Sequence, residues 1–141
     1  LIHHGHIRLL RKAAELGDVV VALTSDAEVK SKKGYTPELN FAERKEILEA
    51  VKYVTEVVES PWLITEDFVN EHHCDLLVHG LDNVNPIDPK RLVLFPRTEG
   101  VSSTELRERV IRAVQSMEKI GKHNSATDAL DDLKKTLQHG A

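Results

Sequence analysis

An α/β fold built on a doubly wound parallel sheet, with helices on both faces, is the architecture this sequence predicts, and three observations carry the prediction. The amphipathic stripe Ile7, Leu10, Ala13 and Ala14 is followed at once by the apolar run Val19-Val20-Val21-Ala22-Leu23, and a strand without alternation is one covered on both faces. Helical pattern followed by short apolar run returns at 41–58 and again at 65–79, the succession expected of layered α/β chains. Helix starts are marked by capping residues, Asn40 with Glu43, Thr65, and Ser102 with Glu105, each able to satisfy orphan backbone N–H groups of a first turn.

In order, the first helix runs to Leu16, stopped by Gly17, and the strand 19–23 leads to Thr24-Ser25-Asp26 at a strand end, where doubly wound folds meet ligands. A basic loop, Lys30, Lys32, Lys33, Gly34 and Tyr35, is expected next. A solvated charge run is the plain account of such lysines, and their position beside an anion site weighs toward function. A helix from Phe41 to about Tyr53 buries Phe41, Ile47, Leu48 and Val51, with Arg44 and Lys45 as surface charge. Strand 54–58 ends at Ser60-Pro61, and Trp62 serves packing. Thr65 caps a short helix to about His72, strand 75–79 turns at Gly80-Leu81-Asp82-Asn83, and an irregular loop 84–90 precedes strand 91–95. The helix after Ser102 buries Leu106, Val110, Val114 and Met117. One domain, 1–120, is expected, followed by a polar tail, 121–141, whose Leu130, Leu133 and Leu137 suit a short amphipathic helix.

Composition excludes several classes. With 141 residues the chain can bury a core without staples, and its single cysteine, Cys74, forms no disulfide framework. Neither a secretory h-region nor an apolar run long enough to insert into a membrane is present, so a cytoplasmic protein is expected. A net charge of −4 with eight neutral histidines gives no electrostatic case for nucleic acid as a partner. The consecutive His72-His73-Cys74 cannot all face one ion, so metal ligation there is not expected.

The chemistry centres on His3-His4-Gly5-His6 at the head of the first helix. His3 and His6, three apart, project from one face beside the unpaired N–H groups of the first turn. The positive end of the helix favours an anion there, Gly5 lets a phosphate approach the backbone, and each imidazole can donate to a phosphoryl oxygen. On these four residues alone, ordinary surface histidines or an adventitious metal-binding terminus remain open. His4 points away from the other two.

An H-x-G-H sequence opening an amphipathic helix resembles the signature of the nucleotidylyltransferase superfamily, whose two histidines hold the phosphates of a nucleoside triphosphate. The stretch Arg97-Thr98-Glu99-Gly100-Val101-Ser102-Ser103-Thr104 is close to the R-T-E-G-[IV]-S-T-[TS] signature of cytidylyltransferases that make CDP-activated small alcohols. The pair of motifs resembles the members acting on glycerol 3-phosphate and phosphoethanolamine, and implies a Rossmann-like fold. A helix start at Ser102 and Ser103 offers N–H groups and hydroxyls to a triphosphate, and Arg97 adds a guanidinium fork.

Residue by residue, the resemblance implies that His3 and His6 bind phosphate, that Arg97, Thr98, Ser102 and Ser103 bind CTP, and that Lys30 and Lys32 belong to a mobile lysine loop touching triphosphate and acceptor. Asp82 matches the second of an acidic pair, and Leu81 stands where the first is acidic; Ser103 replaces a threonine. The implied reaction moves CMP from CTP onto the phosphate or phosphonate of a small acceptor and releases pyrophosphate. Mg2+ on the triphosphate, held by nucleotide and water without a carboxylate cage, and a homodimer are implied with it. A first parallel strand and a Gly-Thr-Phe-Asp turn, central in the sheet, are expected ahead of Leu1 and missing from 1–141. Two rivals stay open: adenylyl transfer, which the second motif disfavours, and a non-catalytic nucleotide-binding domain.

Overall fold

The computed structural model describes residues 1–120 and 127–139. Its elements are α1 His4–Ala14, β1 Val20–Thr24, α2 Asp26–Lys33, α3 Phe41–Glu49, β2 Glu56–Ser60, α4 Glu66–Glu71, β3 Leu77–Gly80, a 3-10 turn Pro89–Arg91, β4 Leu92–Phe95, α5 Ser103–Lys119 and α6 Thr127–His139. Among the described residues no helix is long and apolar enough to cross a membrane.

Every strand pairing is parallel, as the unalternating apolar runs require. β1 pairs with β2 from Val20↔Glu56 to Thr24↔Ser60, and β3 with β4 from Leu77↔Leu92 to Gly80↔Phe95. Among the described residues the four strands make two separate pairs and not one continuous sheet, and no backbone ladder joins β1 to β3. A small crevice lined by Val20 and Ala22 of β1, Ile64, Phe68 and Val69, and Leu76 and Leu77 lies between the pairs. What joins them is apolar packing: Ile64, Val69 and Ile87 form a buried cluster against which Ala22, Phe68, Cys74, Leu77 and Leu92 pack. A Val, Leu, Ile or Phe side chain contributes on the order of 1.5–3 kcal/mol when fully buried, and the partly buried members of this cluster correspondingly less.

Capping predictions are met locally. Asn40 Oδ1 accepts from Glu43 N (3.0 Å) while Glu43 Oε2 accepts from Asn40 N (2.8 Å). Thr65 caps α4 through Phe68 N, and Ser102 caps α5 through Glu105 N at 3.1 Å. The basic loop is corrected: Lys30, Lys32 and Lys33 form the last turn of α2. Ser25 Oγ accepts from Glu28 N (3.2 Å), acids occupy the first turn and cations the last, and Gly34 closes the helix with φ 78°. Side-chain cap, dipole complementarity and a left-handed glycine all favour helix.

Thr24-Ser25-Asp26 is structural too. Arg44 donates to Thr24 O (3.0 Å), Asp26 Oδ1 (2.5 Å) and Leu39 O (3.1 Å), and its side chain is only 13% exposed, so it is a tie between β1, α2 and the chain before α3, not surface charge. α3 ends at Glu49 and turns its buried Leu48 toward β1 and β2. Ile47, expected in the core, lies about 100° from Leu48 around the helix and is exposed. Val110 and Met117 are exposed as well, since α5 buries Val114 alone along that stripe. α6 packs on α5, with Leu130 buried and Lys134 paired to Glu118.

Candidate active site

His3 is the N-cap of α1, with extended backbone (φ −143°), and the two motif histidines cap the helix start reciprocally. His3 Nδ1 accepts from Gly5 N, and His6 Nδ1 accepts from His3 N, both at 3.1 Å. A ring nitrogen that accepts from an amide carries no proton, so each neutral imidazole has its N–H at Nε2. The rings lie 4.0 Å apart between centroids, tilted by 42°. Gly5 has a purpose here beyond the one its sequence position suggested. A Cβ at Gly5 would sit 2.8 Å from His3 Cε1, 2.9 Å from His3 Nδ1 and 3.3 Å from Val101 Cγ1, so the missing side chain is the space in which the His3 ring folds back.

Desolvation by burial and, after it, the neighbouring His3 push the His6 imidazole down to about 4, and burial also lowers His3. His6 nonetheless retains exposed surface, an edge open to a ligand. We expect the neutral Nε2–H tautomer of His6 to persist through pH 6, checked by titrating its ring nitrogen shifts, with a midpoint near 4. A midpoint at or above the ordinary 6.5 would contradict the acceptor role of Nδ1. Because the folded site resists a proton that the unfolded chain accepts, this group's contribution to stability is complete above 6.5 and is lost as pH falls toward 4.

These histidines form one wall of a cleft of about 260 Å3. Arg8, Leu9 and Lys12 continue that wall along α1; His79, Gly80 and Asp82 enter from the end of β3; Phe95, Pro96, Arg97 and Thr98 come from the end of β4, with Val101 beneath. The strand ends that doubly wound folds use for ligands thus converge on the start of α1. Asp82 folds back over Gly80, where a Cβ would lie 2.7 Å from its Oδ1, and Lys12 Nζ stands 5.0 Å above the Phe95 ring. With both histidines neutral, Arg8, Lys12 and Arg97 face one carboxylate, Asp82, and the cleft favours anions.

Of the residues singled out from the sequence, His3, Gly5, His6, Asp82, Arg97 and Thr98 line this cleft. Ser102 and Ser103 follow the lining residue Val101 but do not line it: Ser102 Oγ is engaged by Glu105 N, and Ser103 Oγ bonds the Leu1 backbone at 2.9 and 3.0 Å. Lys30 and Lys32 lie outside it, exposed on α2, and Leu81 is exposed and outside it too. Arg8, Lys12, His79 and Phe95 were not anticipated. For Arg8 and Lys12 the signal was present, since they lie three and seven residues beyond Gly5 and so on its helix face.

The family described as Cytidylyltransferase-like matches residues 1–109, a span holding both histidines and the whole Arg97–Thr104 motif. The chain belongs to the cytidylyltransferase-like family. Among cytidylyltransferases, it is 37% identical to the glycerol-3-phosphate cytidylyltransferase of Bacillus subtilis (strain 168), over 78% of this chain and 89% of that protein. It is 38% identical to the ethanolamine-phosphate cytidylyltransferase of Dictyostelium discoideum over 79% of this chain, and 35% identical to that of Arabidopsis thaliana over 99% of it. The chain spans only 34% and 36% of the lengths of those two proteins. A crystal structure of the lipopolysaccharide core biosynthesis protein from Thermoplasma volcanium GSS1 shares the fold, with a TM-score of 0.52 at 19% identity over 80% of each chain. The fold of this cytidylyltransferase-like chain is accordingly the Rossmann-like α/β type.

Proposed function

We propose that this chain catalyses transfer of CMP from CTP to the phosphate or phosphonate of a small alcohol-type acceptor, such as glycerol 3-phosphate or phosphoethanolamine, with release of pyrophosphate. The observation that carries the reading is the pair of imidazoles at the start of α1. Their Nδ1 atoms are occupied by backbone amides, which leaves two Nε2–H donors in the cleft that also holds Arg97 and Thr98. The names borne by the relatives supply the nucleotide and the acceptor class.

In this reaction an acceptor phosphate oxygen attacks the α-phosphorus of CTP, a new P–O bond forms, and the bond to the bridging oxygen of pyrophosphate breaks. The attacking oxygen is already anionic, so no general base is needed, and catalysis consists of positioning and stabilising charge. The histidine Nε2–H donors meet the phosphoryl oxygens on which charge grows, while Arg8, Lys12 and Arg97 hold the polyphosphate by charge. Among the described residues no group of three or more His, Cys, Asp or Glu could hold a metal, and the cleft offers the single carboxylate of Asp82. That donor set suits Mg2+ carried in by triphosphate oxygens and water, with Asp82 as its one protein oxygen, and the ion would neutralise phosphoryl charge. A homodimer belongs to the same proposal and rests on the resemblance, and a cytoplasmic location rests on the sequence pattern alone.

Pyrophosphate release is the test, with CTP or ATP offered beside glycerol 3-phosphate, phosphoethanolamine, phosphocholine or a phosphonate. Release that needs CTP and one of these acceptors supports the reading. Release with ATP instead would make the chain an adenylyltransferase, and nucleotide binding without release would make it a non-catalytic domain; either overturns the proposal.

A further inference from the structure

We propose that the Glu38–Arg107 ion pair is a latch that holds the lysine-bearing end of α2 in register with the start of α5, making both positioning residues for the transfer reaction. This inference rests on the proposed cytidylyl transfer. α2 is tied firmly at its first turn, where Asp26 meets Arg44 at 2.5 Å. Its last turn, carrying Lys30, Lys32 and Lys33, is exposed and self-repelling, and its ring contact there is Lys33 Nζ 5.7 Å from Trp62. The chain leaves that turn through Gly34 directly into Tyr35, and there Arg107 takes hold.

Arg107 lies one turn beyond Ser103 on α5, four residues on and so on the same helix face. Its Nε donates to Glu38 Oε1 and its Nη2 to Glu38 Oε2 at 2.9 Å, a two-pronged pair, while its guanidinium covers the Tyr35 ring at 4.9 Å. The two side chains are only 13% and 20% exposed, so the pair is screened less than a surface ion pair, and losing either partner strands a part-buried charge. The hydrogen bond from Arg107 lowers the Glu38 carboxyl and the same contact raises Arg107, so both are charged across the neutral range. Sixty-nine residues of sequence separate the partners, and the contact unites the segment that follows α2 with the first turns of α5.

The variants are Glu38→Gln, Arg107→Met, the exchanged pair Glu38→Arg with Arg107→Glu, and Lys32→Ala alone or with Arg107→Met. If the pair is a latch, each single variant lowers kcat about tenfold or more, as small misplacements do, and leaves the KM for CTP within about twofold. The exchanged pair recovers most of the loss, and Arg107→Met adds little to Lys32→Ala because both act through one element. Additive losses, an unaltered rate in Lys32→Ala, or a lowered Tm with full kcat in the folded fraction would each overturn the latch. A wild-type chain without transfer activity sinks the proposed function separately. Tryptic cleavage after Lys32 and Lys33 then decides: about tenfold faster cleavage in the single variants, the scale of about 1.4 kcal/mol of local opening, supports the latch, and unchanged cleavage overturns it.

Discussion

Replacing His6 by alanine is expected to lower kcat by about 10²-fold or more, the scale for removing a preorganised donor to developing charge, while CTP affinity falls far less. The change deletes one of the two Nε2–H donors and also the acceptor for His3 N. Those two losses are read by different measurements. A lost helix cap costs about 1 kcal/mol of folding free energy, which shifts Tm but does not slow molecules that remain folded. A donor that binds the transition state more strongly than bound CTP appears in kcat. Steady-state rates set beside calorimetric CTP affinities separate the two, and parallel losses in both, or little loss in either, would remove His6 from the chemistry. His3→Ala is expected to behave in the same way.

Gly5→Ala should lower the rate without the accompanying loss of stability. Residue 5 is inside α1, where alanine gains about 1 kcal/mol over glycine, and losing the His3 side-chain cap costs a similar amount. The two nearly cancel, so Tm is expected to stay close to that of the parent. The His3 ring cannot stay, because the added Cβ would lie 2.8 Å from its Cε1 and the Val101 methyl closes the other side at 3.3 Å. Displacing one donor by an ångström or more costs on the order of 10²-fold in rate. A parent-like kcat in a folded Gly5→Ala variant would show that the folded-back ring position is not needed.

What could be read from the sequence was what short-range chemistry determines. Asn40 with Glu43, Thr65 and Ser102 announced their helices because a cap is a contact between side chain and backbone three residues apart, and His3 with His6 proved to be another such pair. Ser25 and Glu28 carry the same signal, but three lysines and a glycine mask it, so α2 is not evident from its sequence. Apolar runs marked parallel strands without revealing partners, because pairing is fixed by contacts distant in sequence, and the split into two pairs was not legible. In the site, motif residues were visible and their neighbours were not. Arg8 and Lys12 read as a polar helix face, and only the fold brings β3 and β4 across from that face.

Under the proposed transfer, neutral histidines beside the triphosphate also bear on how the leaving product would escape. Two imidazolium cations would grip any phosphate anion over a distance of several ångströms, free pyrophosphate as firmly as CTP, and residence of the spent product would then limit turnover. An uncharged Nε2–H reaches only as far as a hydrogen bond and holds only an oxygen placed in line with it. Once the α-phosphorus bond has broken and pyrophosphate has shifted, that alignment is gone. Long-range attraction would then be left to the exposed Arg8 and Arg97 and the half-buried Lys12, where screening by water weakens it. If the chain carries out the proposed transfer, folding the imidazoles back onto their own helix would make a site that clears itself.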